Sequence, residues 1–200
     1  MQTRQFQLDM TMMFAYHDAL RRDLNRAAGL KTRCEGWDLF QRFLHVHHTS
    51  EDDALWPVVR GEVADRPDDV ALLDAMATEH ANLAPLLAAI DEAFGKEDPG
   101  ARLGGLMGEL DAGLRHHLDH EERDALPLID RTLTLERWMG FGEAATKALG
   151  PDVPRFFPWL LDGADEETAG RVLGRLPEPI KAAYRNAWFP AYETKELWAP

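Results

Sequence analysis

The chain has almost no cysteine. Cys34 is the single one in 200 residues, which excludes an internal disulfide and any multi-cysteine zinc site. A reducing cytoplasm fits that usage. Cys34 lies near Gly36 in an expected connection, where a surface thiol is the natural reading. No apolar run approaches the length of a membrane span. The opening MQTRQFQLDM lacks a charged region followed by an apolar one, so it does not read as a signal peptide. Basic residues are few: 22 Lys and Arg stand against 35 Asp and Glu, a net charge of −13. That balance disfavours nucleic-acid backbones and anionic membrane surfaces as partners. Alternating β-branched runs are missing too, while Ala, Leu, Glu, Asp and Arg dominate, which favours helix. Histidine is absent from the last 80 residues.

All eight histidines therefore lie between His17 and His120. Charge follows the same division. Residues 1–130 hold a net −12 and residues 131–200 a net −1. The expected organisation is an all-α, up-down-up-down four-helix bundle over 1–130 with a C-terminal helical extension over 131–200.

Four long helices are expected in the first part, over about 5–28, 37–60, 69–94 and 100–130. Their inward stripes read Met10, Met13, His17, Leu20, Leu24; then Phe40, Leu44, His47, Glu51, Leu55; then Leu73, Met76, His80, Leu83, Leu87; then Leu110, Leu114, His117, Glu121. Asp68 or Asp69 is expected to cap the third helix and Asp98-Pro99 the fourth. Pro85 should kink the third just after His80, and Pro57 and Pro127 should bend or end theirs. The extension holds four of the six tryptophans and seven prolines. Short helices are expected there at about 134–149, 154–161, 164–175 and 178–187, their aromatics buried on the bundle or in a partner interface.

A repeat with a shift of 70 residues carries the chemistry. It pairs Leu44 with Leu114, His47 with His117, Glu51 with Glu121, and Pro57 with Pro127. Each copy holds His-x-x-x-Glu, and residues four apart share one helix face. Both groups fall in the apolar stripe. Singly, His17 or His80 reads as a satisfied core histidine, and His47–Glu51 as a helix-surface pair. Jointly they need a reason, because an unpaired buried imidazole or carboxylate costs several kcal/mol. A metal centre supplies one, and imidazole with carboxylate suits iron, zinc or manganese. Four histidines and two carboxylates suit two ions better than one.

The remaining histidines read as peripheral. His45, His48 and His116 are rotated well off the stripes. His48 joins the site only if its helix is turned. His120, about 60° from the inward line at about 100° per residue, suits a place behind the ligands. Glu122, Asp52 and Asp53 read as a solvated acidic face. His120-Glu-Glu-Arg-Asp124 is not His-Glu-x-x-His. The Glu-x-x-His pairs of ferritin-like bundles, the P-loop, the dinucleotide fingerprint and Gly-x-Ser-x-Gly are all missing.

Residues 10–130 resemble the hemerythrin-like, or HHE cation-binding, family. The resemblance rests on His17-Asp, His47-x-x-x-Glu51 before Leu-Trp-Pro57, Glu79-His80, and His117-x-x-x-Glu121 before Leu-Pro127. It implies a four-helix bundle with two Fe ions in an oxo- or hydroxo-bridged centre. His17 and His47 would bind one iron, His80 and His117 the other, and Glu51 and Glu121 would bridge. Family members carry oxygen, sense oxygen or iron, or respond to peroxide or nitrosative stress. Oxygen carriers have a fifth histidine one turn from the third-helix ligand. Here those positions are Met76 and Ala84, leaving the two irons symmetric and room for an extra ligand such as His48 or Tyr16. Three functions follow: a di-iron protein binding or sensing oxygen or a related small molecule, an enzyme consuming peroxide or handling nitric oxide, and an interaction module with a structural metal and a protein partner on the extension.

Overall fold

Helix formers at three- and four-residue spacing make long amphipathic helices here. The structure, a computed structural model, describes residues 6–96 and 100–199. Among them every regular element is helical. The long antiparallel members are α1 (Thr11–Ala27), α2 (Glu35–Ser50) continued by α3 (Trp56–Glu62), α4 (Pro67–Phe94), and α5 (Gly100–His120) continued by α6 (Leu126–Thr132). The extension adds α7 (Leu135–Leu149), α8 (Val153–Leu161), α9 (Glu166–Gly174), α10 (Glu178–Ala183) and α11 (Phe189–Glu193).

Some boundaries differ from expectation. α1 begins at Thr11 because the preceding segment is tied down elsewhere. The N–H groups of Gln7 and Leu8 donate to Asp130 Oδ1 at 2.8 and 2.7 Å. The start expected near residue 5 and the Asp98-Pro99 cap lie outside the described residues. Pro67 opens α4 after Arg66, so Asp68 and Asp69 occupy its first turn rather than capping it. The helix then runs on through Pro85.

Pro57 and Pro127 do not end their helices but sit in the first turn of α3 and α6. Each follows a π-helical turn, Glu51–Leu55 or Glu121–Ala125. The N–H of Trp56 reaches back five residues to the Glu51 carbonyl, and that of Leu126 to the Glu121 carbonyl. A proline lacks the N–H and its ring crowds the carbonyl four residues earlier. Widening the turn by one residue relieves that crowding and keeps the helix going. The extension repeats the device at Tyr184–Trp188, just before Phe189-Pro190. In the bundle, the first residue of each widened turn is a glutamate of the repeat.

The extension packs on α1 and α2. Phe156 and Trp159 of α8 lie against Tyr16 and Phe43, with ring centroids 4.7–5.4 Å apart. The Trp159 indole N–H donates to the buried Asp23 carboxylate at 2.6 Å. Burying aromatics of this size stabilises the fold by roughly 1.5–3 kcal/mol each. The end of the chain crosses the start of α2. Gly36 N–H donates to the Leu197 carbonyl at 2.6 Å, and a Cβ on Gly36 would meet the Trp198 ring at 2.6 Å. Cys34, at this crossing, is buried rather than a surface thiol. Leu197 belongs to the same hydrophobic cluster. Among the described residues no helix is long and apolar enough to cross a membrane.

Candidate metal centre

The helix phases bring all six stripe residues to one place. His17, His47, Glu51, His80, His117 and Glu121 are all buried. His17 Nε2 lies 3.1 Å from His47 Nε2, and His80 Nε2 lies 3.0 Å from His117 Nε2. The carboxylates span the two pairs. Glu51 points Oε1 at His47 (3.4 Å) and Oε2 at His80 (3.5 Å). Glu121 Oε2 lies 3.2 Å from His17 and 3.9 Å from His117. None of these four carboxylate oxygens has a hydrogen bond.

The outer nitrogens are held by carboxylates. His17 Nδ1 meets Glu122 Oε1 at 2.8 Å, His80 Nδ1 meets Asp52 Oδ1 at 2.9 Å, and His117 Nδ1 meets Glu79 Oε2 at 2.9 Å. Glu79 also accepts from His120 Nδ1 at 2.8 Å, which puts His120 behind the site. A carboxylate only accepts, so each of these Nδ1 atoms carries the proton. The Nε2 lone pairs of His80 and His117 then face each other across 3.0 Å. Something positive, a proton or a metal ion, has to lie between them.

Glu122 and Asp52 are thus not simply a solvated face. Arg21 adds a second bond to Glu122 at 2.7 Å. The sequence could have shown this, because each follows a repeat glutamate directly and so looks across to the neighbouring helix. Asp53 is exposed, as are His45 and His116.

His48 is the larger correction. It is buried, its ring is stacked on His80 with centroids 3.9 Å apart, and its Nε2 has no partner. Its donor atom lies within 4.8 Å of those of His80 and His117. The one-stripe reading failed because α2 has more than one buried face. Phe43 meets the extension while His47 and His48 both reach the site. Tyr16 stacks on His47 at 4.6 Å, but its hydroxyl donates to the Phe43 carbonyl at 2.8 Å and so faces away from ligand duty.

Electrostatics without a metal follow from burial and neighbours. Burial works against a charged His17, but Glu121 and then Glu122 outweigh it and push its pKa up to about 9. Glu121 is pulled down to about 2 against its own burial, chiefly by His17. Burial, reinforced by the Glu121 charge, pushes Glu51 well up. Burial drives His47 and His48 well down. Without a metal the cluster already holds one positive charge, on His17 against the Glu121 carboxylate, while burial keeps His47 and His48 neutral and drives Glu51 toward its acid form.

The hemerythrin HHE cation-binding domain matches residues 9–129. The chain belongs to the hemerythrin HHE cation-binding family. Buried histidine–glutamate clusters are what that domain needs to hold a cation, and they fall inside the matched span. The hemerythrin match stops before α7, so the extension lies outside it. Among curated proteins and among solved structures, none matches the chain.

Proposed function

We propose that this chain is a non-haem di-iron protein that binds or senses oxygen or a related small molecule. His17 and His47 hold one iron, His80 and His117 the other, and Glu51 and Glu121 bridge. The observation that carries the reading is the lone-pair opposition of His80 and His117 at 3.0 Å, with both outer nitrogens anchored. Two donors about 2.1 Å from one ion and at right angles to each other stand about 3.0 Å apart. Both histidine pairs have that spacing. Glu51, with one oxygen toward each pair and no hydrogen bond to either, suits a bridge. When bound, the irons would supply redox-active Lewis acids for oxygen, peroxide or nitric oxide.

The residues around them do the rest. Glu122, Asp52 and Glu79 fix the imidazole tautomers and strengthen Nε2 as a donor. His48 adds a third imidazole on the His80 side. The two halves are then unequal, and the small molecule is expected on the half with fewer protein donors, that of His17 and His47. This inequality favours binding over the symmetric arrangement expected from the sequence. A second reading, an enzyme consuming peroxide or handling nitric oxide, is favoured by Tyr16, an oxidisable phenol stacked on His47.

Protein from iron-replete cells tests both. An oxo-to-iron charge-transfer band that bleaches reversibly when oxygen is removed supports binding. Sustained oxygen evolution from peroxide supports the enzyme. Full occupancy by zinc, with no iron after supplementation, would refute both.

A further inference from the structure

A cavity of about 820 Å³ lies between the bundle and the extension. Met12, Tyr16 and Val46 form one side, and Phe141, Phe156 and Leu176 form the other. Leu135 and Met139, both more than half exposed, stand on its rim. The space suits an organic molecule and far exceeds what oxygen, peroxide or nitric oxide needs. Much of the wall comes from residues 135–176, outside the family match.

His47 reaches this cavity. The other three histidines of the proposed ligand set each rest Nδ1 on a carboxylate. His47 Nδ1 has no such partner among the described residues, and it is not sealed away as His48 Nε2 is. Its Nε2 is turned to His17 and Glu51, so Nδ1 is the nitrogen left for the cavity. The charges on the wall balance, Lys147 and Arg175 against Asp9 and Glu143. Selection of a head group therefore rests on His47.

We propose that the cavity binds an apolar organic molecule bearing a carboxylate, which accepts a hydrogen bond from His47 Nδ1 as Glu122 does from His17. The extension would thereby couple an organic ligand to the metal centre through one imidazole. This rests on the reading of His47 as a ligand through Nε2.

Calorimetry on the full chain, iron-loaded and metal-free, tests it with 4-phenylbutanoate and with butylbenzene, the same body without the oxygens. One saturable site per chain is expected on the iron-loaded protein, with the acid bound at least about tenfold more tightly, as a charge-assisted hydrogen bond warrants. Ala145→Phe and, separately, Leu176→Trp fill the cavity. Each should weaken the acid at least about tenfold while circular dichroism and iron per chain stay unchanged. No saturable binding of either probe, equal binding of the two, or indifference to both fillings would overturn the proposal. So would a dimer that Met139→Glu dissolves while neither probe binds, because the rim would then be an interface between copies. Failure to load iron refutes the di-iron reading instead, and the metal-free titration then judges the cavity.

Discussion

His80 and His117 present their Nε2 atoms to each other across 3.0 Å, while Asp52 and Glu79 hold the opposite nitrogens. Two neutral imidazoles anchored this way repel unless a cation or proton sits between them. The arrangement makes sense as part of a site folded around positive charge.

Glu51→Ala and Glu121→Ala should each lose metal nearly completely, since each carboxylate faces both histidine pairs. Glu122→Ala should lower affinity by roughly 10- to 100-fold, the usual cost of losing the partner behind a ligating histidine. Metal titration with a competing chelator ranks the three. Equal losses would remove the bridging assignment.

Glu51→Gln separates metal binding from folding. Burial drives Glu51 toward its neutral acid in the metal-free protein, and glutamine imitates that form. Its metal-free stability should lie within about 1 kcal/mol of the parent. The rise in Tm that metal gives the parent should vanish. Calorimetric melts with and without metal decide it. A variant that still gains Tm on metal addition contradicts the role given to Glu51.

His48→Phe should keep the stack on His80 but remove the third imidazole of that half. Metal should bind more weakly and the optical spectrum should change. An unchanged spectrum would make His48 a core residue with an unfilled nitrogen.

How legible was this in the sequence? The His-x-x-x-Glu repeat and the apolar phase of His17 and His80 pointed to all six central residues, because a period of 3.6 fixes which side chains share a face. His48 escaped because that argument gives a helix one buried stripe, whereas α2 lies between the bundle and the extension. Asp52 and Glu122 escaped because their bonds go to other helices, and their place directly after the repeat glutamates was the one local hint of it. The prolines marked their places correctly, but whether a helix breaks or widens depends on the turn before it. Nothing local announced the crossing at Gly36, a contact between residues 161 apart in the case of Leu197.

Gly36→Ala should dislodge that crossing, since its Cβ would sit 2.6 Å from the Trp198 ring and 2.8 Å from the Leu197 carbonyl. A loss of about 1–3 kcal/mol is expected from such overpacking. Cys34 should become more reactive toward a thiol reagent. A parent-like melt and thiol rate would show that this contact contributes little.

Acid should loosen the extension through Asp162. Its carboxylate accepts from Arg26 at 2.6 Å and from the Tyr192 hydroxyl at 3.1 Å. Burial opposes its ionisation, but Arg26 and Arg22 outweigh that and lower its pKa below the usual 3.8. A depressed folded value means the contribution is present above pH ~4 and fades as pH falls through that lower value. Because both partners are partly exposed, it amounts to no more than about 1 kcal/mol. Asp162→Asn should therefore be less stable than the parent at pH 6, with the gap closing as pH falls through the depressed folded value. A gap that widens in acid contradicts the assignment.

The most direct test of the central claim is anomalous scattering from crystals of iron-grown protein, measured on both sides of the iron edge. Two iron peaks are predicted, one bonded to His17 and His47 and the other to His80 and His117, with Glu51 reaching both. A single peak, or none at these histidines, would contradict the di-iron account.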